Sequence, residues 1–526
     1  MNSNGAKSTP DAEPLIVIAS NRGPFTFEKK EDGTFDAQRG SGGLVTALWA
    51  LAAKHEVVWV AAALSDDDVA WAEAHPDQPA AVQDIQLQLV QPTKKSYDYY
   101  YNTISNPLLW FIHHQLWDAP RHPSITQDTW NAWKRGYVKI NKLFAEEIAK
   151  GIKRMQKGNR QVIVFTQDYH LYLVPKYLRE QLGDEVHIQP FIHIPWPGPD
   201  AWRVLPAEML EAILDSLLQS DRIGFQTERD AFNFVQTARF YLEGAHSYGS
   251  RDSIHYNDKK VVSKSYPISV DVKKLESLAE ERETQLHKSE LLNIVGDRKL
   301  ILRVDRIEPS KNILRGFEAY RALLEMNPEH HGRVQMLALL VPSRMEVDEY
   351  SSYLRELMAI AGMINADYSD GFWEPVRILV GNNYHRAIAA MQMYDLLLVN
   401  PIADGMNLVA KEGVLVNQRN GVLLLSEKAG AFYELGDYAT AVNPYDIYGT
   451  AHSMNKALAL PELERQRRAE ALRKKVRASG VSEWFYGQVD DALSDIKNQS
   501  KNSATPETPS TSKSAVSSTS AGESSD

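Results

Sequence analysis

None of the 526 residues is cysteine, which excludes disulfide staples, a thiolate nucleophile and cysteine-ligated metals, and fits a reducing compartment. Long hydrophobic runs are missing too. The apolar stretch Val57 to Leu64 falls far short of the roughly 20 residues a membrane span needs. The polar start Met1 to Pro14 lacks the apolar segment of a secretory leader. A cytoplasmic protein without a membrane partner is the expectation. A formal net charge of −10 argues against a broad nucleic-acid surface, whose footprint is basic. Neither G-x-G-x-x-G nor G-x4-G-K-[ST] occurs where it would serve a dinucleotide or a P-loop, so hydride transfer and ATP hydrolysis are not favoured. No H-E-x-x-H, cysteine pair or D-x-D dyad stands out as a metal site, and no cofactor is expected. There is no repeat of solenoid period. From about Asn498 onward Ser, Thr and Pro dominate and Val516 is the only large aliphatic residue, a composition that cannot offset the entropy of ordering, so a disordered tail is expected.

What is present is an alternation of short apolar runs with helical patterns. Leu15 to Ala19, Val57 to Val60, Val162 to Phe165, Leu300 to Val304, Met336 to Val341 and Leu396 to Val399 read as strands covered on both faces. The chain is too long for one core, since domains run to about 100–200 residues. The expected class is α/β, with two Rossmann-like, doubly wound domains facing across a cleft.

Three loops after such strands carry the chemistry. In Val399-Asn400-Pro401-Ile402-Ala403-Asp404-Gly405-Met406-Asn407-Leu408, a strand is stopped by Pro401 and a helical segment follows. The amides of Gly405, Met406, Asn407 and Leu408 are expected to point from a helix start, which favours anions such as a diphosphate. Asp404 is placed to accept sugar hydroxyls, and Glu412, two turns on, a ribose diol. An ordinary strand–loop–helix unit, with Asp404 as a cap and Glu412 as solvated surface, fits the same residues. Arg306 and Lys311 follow the strand Leu300 to Val304 as two fixed cations suited to a pyrophosphate leaving group; simple surface basicity is the plainer reading. Gly40-Ser41-Gly42-Gly43 precedes a helical pattern and offers amides with little side-chain obstruction. Asp168 follows the strand Val162 to Phe165 at its C-terminal end, where open α/β sheets put their ligands. Packing alone is the plainer reading of Trp110 and of His170 and His193, and it fits the run Tyr97 to Tyr101, which has no clean period.

In one order along nearly the whole ordered chain stand Ser20-Asn21-Arg22, Gly42-Gly43-Leu44, Tyr101-Asn102 with Trp110, Asp168-Tyr169-His170-Leu171, and His193-Ile194-Pro195-Trp196-Pro197. Gly224-Phe225-Gln226-Thr227-Glu228, Tyr266-Pro267-Ile268, Arg306 with Lys311, Pro342-Ser343-Arg344, Asp404 to Glu412, and Val442-Asn443-Pro444-Tyr445-Asp446 follow. With these the sequence resembles glycosyltransferase family 20.

The resemblance implies the GT-B architecture and retaining transfer of glucose from UDP-glucose to glucose 6-phosphate, giving α,α-trehalose 6-phosphate and UDP without an obligatory metal. It implies that Arg306, Lys311, Asp404 and His193 form the catalytic set, with His193 beside the transferred glucose. Gly42, Gly43 and the amides from Gly405 to Leu408 would complete the donor cradle, and Glu412 would hold the ribose. Arg22, Tyr101 and Arg344 would grip the acceptor phosphate, Trp110 would pack nearby, and Asp168 would bind acceptor hydroxyls. The expected division is a flexible start over 1–14, an acceptor domain over 15–266, a donor domain over 267–480, a helix over 481–497 returning to the first domain, and the tail over 498–526.

Five positions depart from the family pattern. Ala403 stands where an arginine is common, Ala62 where many members have tryptophan, Glu308-Pro309 in place of Asp-Tyr, and Ser269 in place of glycine. Another phosphorylated acceptor such as glycerol 3-phosphate, ADP- or GDP-glucose as donor, and a non-catalytic sugar-phosphate sensor therefore stay open, as does a homo-oligomeric state.

Overall fold

A computed structural model describes residues 13–40, 55–158, 160–344 and 347–504. Its centre in the first half of the chain is the strand Leu15–Ser20, every residue of which is buried. Parallel partners flank it on both sides, Val57–Ala62 and Val162–Thr166. These runs are rich in Val, Ile and Phe because a parallel strand covered on both faces has no solvent side to make polar. Among the described residues the sheet has the order Ala80–Val82, Ile85–Val90, Val57–Ala62, Leu15–Ser20, Val162–Thr166, Val186–Ile188. Only the edge strand Ala80–Val82 pairs antiparallel. The helix Lys139–Met155 covers one face, burying Ile140, Phe144, Ile148 and Ile152 at intervals of one helical turn.

A second sheet of Phe191–Ile192, Arg222–Phe225, Lys259–Ser265 and Ser253–Tyr256 continues the first. Gln189 N donates to Val164 O at 2.8 Å, and Gln167 forms a parallel bridge to Phe191.

The second half repeats the plan more simply. Six parallel strands lie in the order Val376–Val380, Val334–Val341, Lys299–Arg306, Leu396–Val399, Val422–Ser426, Thr440–Val442. The chain winds outward from Lys299–Arg306 in one direction, then returns and winds the other way from Leu396–Val399. The crevice between those two strands is the topological switch point, where doubly wound sheets bind ligands. In the first half the corresponding place lies beyond Leu15–Ser20 and Val162–Thr166.

The helix Glu462–Arg477 packs on the second half, and the last helix, Val481–Ala504, crosses to the first. Phe485 meets Phe165 with ring centroids 4.7 Å apart, and Trp484 meets Phe191 at 5.0 Å. Asp495 pairs with Arg222 at 2.9 Å, and Asp491 with Lys264 at 2.5 Å. This helix runs on to Ala504, past the end expected at 497. No helix among the described residues is long and apolar enough to cross a membrane.

Candidate active site

At the switch point of the second half, the strand Lys299–Arg306 ends by presenting Arg306 to solvent, while Glu308 turns inward and is fully buried. A short 3₁₀ turn, Pro309–Lys311, follows. Asn312 then takes a left-handed φ of 58°, which asparagine tolerates better than most residues. Its Nδ2 donates to Asn400 O at 3.0 Å and Pro444 O at 2.7 Å, pinning the loop to its two neighbours. Beneath it lies Arg303, wholly buried, with Nε 2.9 Å from Asp305 Oδ2 and Nη2 donating to Lys311 O at 2.5 Å. A Cβ at Gly316 would stand 2.1 Å from Arg303 Nη1, so only glycine leaves room for this support.

The second loop, after Leu396–Val399, brings Asp404 to Lys311. Lys311 Nζ lies 2.5 Å from Asp404 Oδ2, which also accepts from Asn407 Nδ2 at 3.0 Å. Burial pushes the Asp404 carboxyl up, but the Lys311 charge outweighs it and holds the group below its usual value. The helix here begins at Leu408, not at Gly405 as the sequence suggested. Asn407 is its N-cap, with φ 72° and its side chain accepting from Ala410 N. Tertiary contacts hold the preceding residues out of the helix: Met406 O accepts from Ala431 N at 2.7 Å, and Gly405 lies so close to the opposite half that a Cβ would meet His193 O at 1.8 Å. The amides of Gly405, Met406, Asn407 and Leu408 nonetheless have no backbone acceptor among the described residues. Glu412 lies further along the helix, its Oε1 accepting from the Tyr384 hydroxyl at 2.9 Å.

Across the cleft, Arg22, Tyr101 and Arg344 line one cavity of about 610 Å³, joined by Lys94, Tyr97 and Asn102. The loop bearing Arg22 is anchored from below, since the Trp59 indole donates to Ser20 Oγ at 2.8 Å and Ser20 Oγ donates to Arg22 O at 2.6 Å. Tyr101 stacks on His170 at 5.7 Å and on Tyr97 at 5.5 Å; the run Tyr99–Leu109 is a π-helical stretch, which explains its lack of a clean 3.6-residue pattern. Trp110 is buried, and its ring lies under the Arg344 guanidinium at 4.1 Å and more remotely under Arg306 at 5.9 Å. Arg344 has a left-handed φ of 48°. Its Nη1 donates to the Tyr350 hydroxyl at 2.7 Å and its Nη2 to the Tyr169 hydroxyl, from the first half, at 3.3 Å.

Asp168 sits between the two sets, at the end of Val162–Thr166, with φ 70°. Its Oδ1 accepts from His193 N at 3.2 Å. Burial pushes its carboxyl up to about 7, against the pull of backbone amides and of Arg344 and Arg306. The His193 imidazole is held down to about 3 by burial. Its Nε2 faces Gln167 Oε1 at 2.9 Å and its Nδ1 faces Gln226 Nε2 at 3.3 Å, so it is neutral with both nitrogens occupied.

The structure thus gathers Arg306, Lys311, Asp404, His193, Asp168, Arg344 and Trp110 around one cleft, with Arg22 and Tyr101 lining the cavity they share with Arg344 and Glu412 on the helix leading away. Gly42 and Gly43 lie outside the described residues. Sequence reasoning noted Glu308 only as a departure from the family pattern, with no role in the site, and gave none to Arg303, Asn312 or Tyr384. The buried Arg303-x-Asp305 pair on a strand was the available signal for the second of these; the others depend on contacts between distant loops. Ala403 is buried and lines, with Asp404, a cavity of about 310 Å³ that also includes Gln115, Trp196, Asp230 and Glu427. No group of three or more His, Asp or Glu side chains among the described residues is placed to hold a metal ion.

Two doubly wound halves presenting switch-point loops to one another across a cleft define the GT-B architecture. The sequence profile of glycosyltransferase family 20 matches residues 14–494. A trehalose-6-phosphate synthase of Mycobacterium sp. (strain JLS) is 33% identical over 498 residues, covering 92% of this chain and 97% of its own. Among solved structures, an E. coli protein bound with UDP-2-fluoro glucose superposes with a TM-score of 0.78 at 27% identity, covering 91% of this chain and 98% of its own. The α,α-trehalose-phosphate synthase (UDP-forming) of Burkholderia xenovorans in complex with glucose-6-phosphate gives a TM-score of 0.77 at 26% identity, over 91% of this chain and 99% of its own. The chain belongs to glycosyltransferase family 20.

Proposed function

We propose that this protein is a retaining glucosyltransferase that moves glucose from UDP-glucose to glucose 6-phosphate, forming α,α-trehalose 6-phosphate and UDP. The observation that carries this reading is the meeting of two cation sets over one floor. Arg306 and Arg344 both lie above the Trp110 ring, one at the end of the strand whose following turn carries Lys311, itself paired with Asp404, and the other in the cavity with Arg22 and Tyr101. Two phosphorylated ligands seated there would bring their sugars together near Asp168.

In this reading residues 15–266 receive the acceptor, residues 267–480 hold the nucleotide sugar, and the helix from 481 to 497 ties the second to the first. Arg306, Lys311 and the amides from Gly405 to Leu408 hold the donor diphosphate, together with Gly42 and Gly43. Glu412 accepts from the ribose, its carboxylate oriented by Tyr384. Asp404 accepts from the glucose hydroxyls once the diphosphate draws Lys311 away. Arg22, Tyr101 and Arg344 take the acceptor phosphate, as guanidinium forks suit a dianion, and Asp168 takes acceptor hydroxyls.

In the chemical step, the bond from the glucose anomeric carbon to the diphosphate oxygen breaks, and a bond to the acceptor hydroxyl oxygen forms on the same face. The hydroxyl proton passes to the departing phosphate. The contribution of Arg306, Lys311 and the amides is electrostatic, because fixed donors aimed at growing negative charge stabilise it without reorganising. His193 is neutral and hydrogen-bonded at both nitrogens, so its part is to shape the cleft rather than to carry a proton. A matrix of UDP-, ADP- and GDP-glucose against glucose 6-phosphate, glycerol 3-phosphate and no acceptor tests the reading. UDP release that needs both UDP-glucose and glucose 6-phosphate is expected. Turnover confined to another pair would overturn the substrate assignment, and binding of both ligands without turnover would make the protein a sensor.

A further inference from the structure

Among the described residues, Glu308 is an ionised group at the meeting point of the two cation sets that the reaction scheme leaves without a task. Its side chain is fully buried. Oε1 lies 3.2 Å from Arg306 Nη1 and 3.3 Å from Arg344 Nη1, and accepts from Ser343 Oγ at 3.1 Å. Oε2 has no hydrogen-bond partner among the described residues. Its main chain is engaged as well, with N donating to Arg306 O at 2.8 Å and O accepting from Lys311 N at 3.0 Å. One residue therefore touches Arg306, Lys311 and Arg344, which arise from two different loops.

A buried carboxylate is costly unless it is paired, and an anion directly behind phosphate-binding cations weakens their attraction for substrate. Affinity does not account for its position; geometry does. Arg344 occupies a left-handed backbone conformation, sparsely populated for a side chain of this size, and its guanidinium is held by Glu308, Tyr350, Tyr169 and the Trp110 face. Arg306, by contrast, is half exposed, at 48%, and Glu308 is the acidic side chain that restrains it.

We propose that Glu308 is a positioning residue that ties the donor-side Arg306 and the acceptor-side Arg344 into one unit, fixing the distance between the two bound phosphorylated substrates. The inference rests on the assignment of Arg306 to the diphosphate and Arg344 to the acceptor phosphate. It also gives a role to the glutamate standing where an aspartate is usual in the family pattern.

The test is steady-state kinetics of the full chain with UDP-glucose and glucose 6-phosphate, for the parent, Glu308→Gln and Glu308→Asp, with UDP and glucose 6-phosphate binding measured directly. Glu308→Gln keeps the volume and drops the charge. A fall in kcat of about 10- to 100-fold is expected, the cost of a small misplacement at a reacting centre. Neither KM should rise, since removing the anion leaves both guanidiniums more attractive to phosphate. Glu308→Asp restores the charge on a shorter stem and should fall between the two.

A Glu308→Gln enzyme with kcat within about twofold of the parent, or one whose loss lies in raised KM values with kcat kept, would overturn the proposal. If Glu308→Gln does not fold by circular dichroism, Glu308→Asp decides alone: lowered kcat with unchanged KM values supports the proposal, and parental kcat overturns it. A parent enzyme inactive with this substrate pair would instead defeat the underlying functional reading, which separates the two failures.

Discussion

Lys311 and Asp404 neutralise each other, and this pairing sets what their removal does. Both side chains are largely buried, at 13% and 15% exposure, so truncating either leaves a charge whose desolvation is no longer offset, a loss of about 3–5 kcal/mol when a buried pair is broken. Lys311→Ala is expected to lose most turnover, by about 10²–10³-fold as for other preorganised stabilisers of a leaving group; kcat measured at saturating substrates checks this, and parental activity would remove Lys311 from the diphosphate site.

Asp168 gives a pH signature. Its pKa is raised from 3.8 to about 7 by burial, so the carboxylate form that the proposed contact with acceptor hydroxyls requires is lost as pH falls through about 7. kcat/KM for glucose 6-phosphate should decline over that range. In Asp168→Asn this inflection should vanish, leaving only the substrate's own phosphate ionisation near pH 6, a value usual for phosphate monoesters. For stability the sign is opposite to that of a salt-bridged carboxylate. The folded state binds this proton more tightly than the unfolded state, so the contribution is present at low pH and lost as pH rises from 3.8 to about 7. Parent and Asp168→Asn proteins compared by denaturant titration should diverge over that window, with the parent losing ground as pH rises. His113, His114, His170 and His193 are all pushed down to about 3 or 4, chiefly by burial, so none of them supplies a limb near neutrality.

The residues of this site were unevenly legible. Arg306, Lys311 and Asp404 lie at or just after the ends of apolar strands, which is a signal local in sequence, although the pairing of Lys311 with Asp404 is not. Glu308 looks like any exposed glutamate in the sequence; only the approach of Ser343 and Arg344, far along the chain, makes it a buried counter-ion.

At the scale of elements, the strands were readable because burial on both faces leaves continuous Val, Ile and Leu runs, as in Leu15–Ser20 and Leu396–Val399. The start of the helix Leu408–Val416 was not. Helix-forming residues begin soon after Asp404, but contacts with residues 429–431 and with His193 hold Gly405 and Met406 outside the helix, and tertiary contacts override propensity. Two glycine substitutions separate packing from propensity. Gly405→Ala puts a methyl 1.8 Å from His193 O and should cost about 1–3 kcal/mol as an overpacked site does, with a lower kcat because the halves are forced apart. Gly362→Ala, in the helix Asp348–Tyr368 with no atom within 4 Å of the added Cβ, should stabilise by about 0.5–1 kcal/mol and leave kcat alone. Thermal unfolding and initial rates on the two variants check both; equal behaviour would deny the close approach at Gly405.

The whole molecule is two switch-point clefts made to face each other and a last helix that binds the second half to the first. Alternation of strands and helices made the two halves legible. Their mutual placement was not, because contacts such as Arg344 with Tyr169 and Gly405 with His193 join residues with no periodic relation in sequence. The last helix is anchored by Phe485, 1% exposed and packed on Phe165. Phe485→Ala should cost about 3–5 kcal/mol, the usual loss for a buried aromatic, read as an earlier denaturant midpoint. A shift under 1 kcal/mol, small on the scale of core truncations, would mean that the helix docks without holding the halves together.

The central claim is transfer of glucose between two phosphorylated ligands with retention at the anomeric carbon. Its most direct test is proton NMR of the product formed by the parent enzyme from UDP-glucose and glucose 6-phosphate, with UDP release followed in parallel. The account predicts one phosphorylated disaccharide with both anomeric centres α, formed in step with UDP. A β-linked product, or UDP released equally without acceptor and accompanied by free glucose, would contradict it.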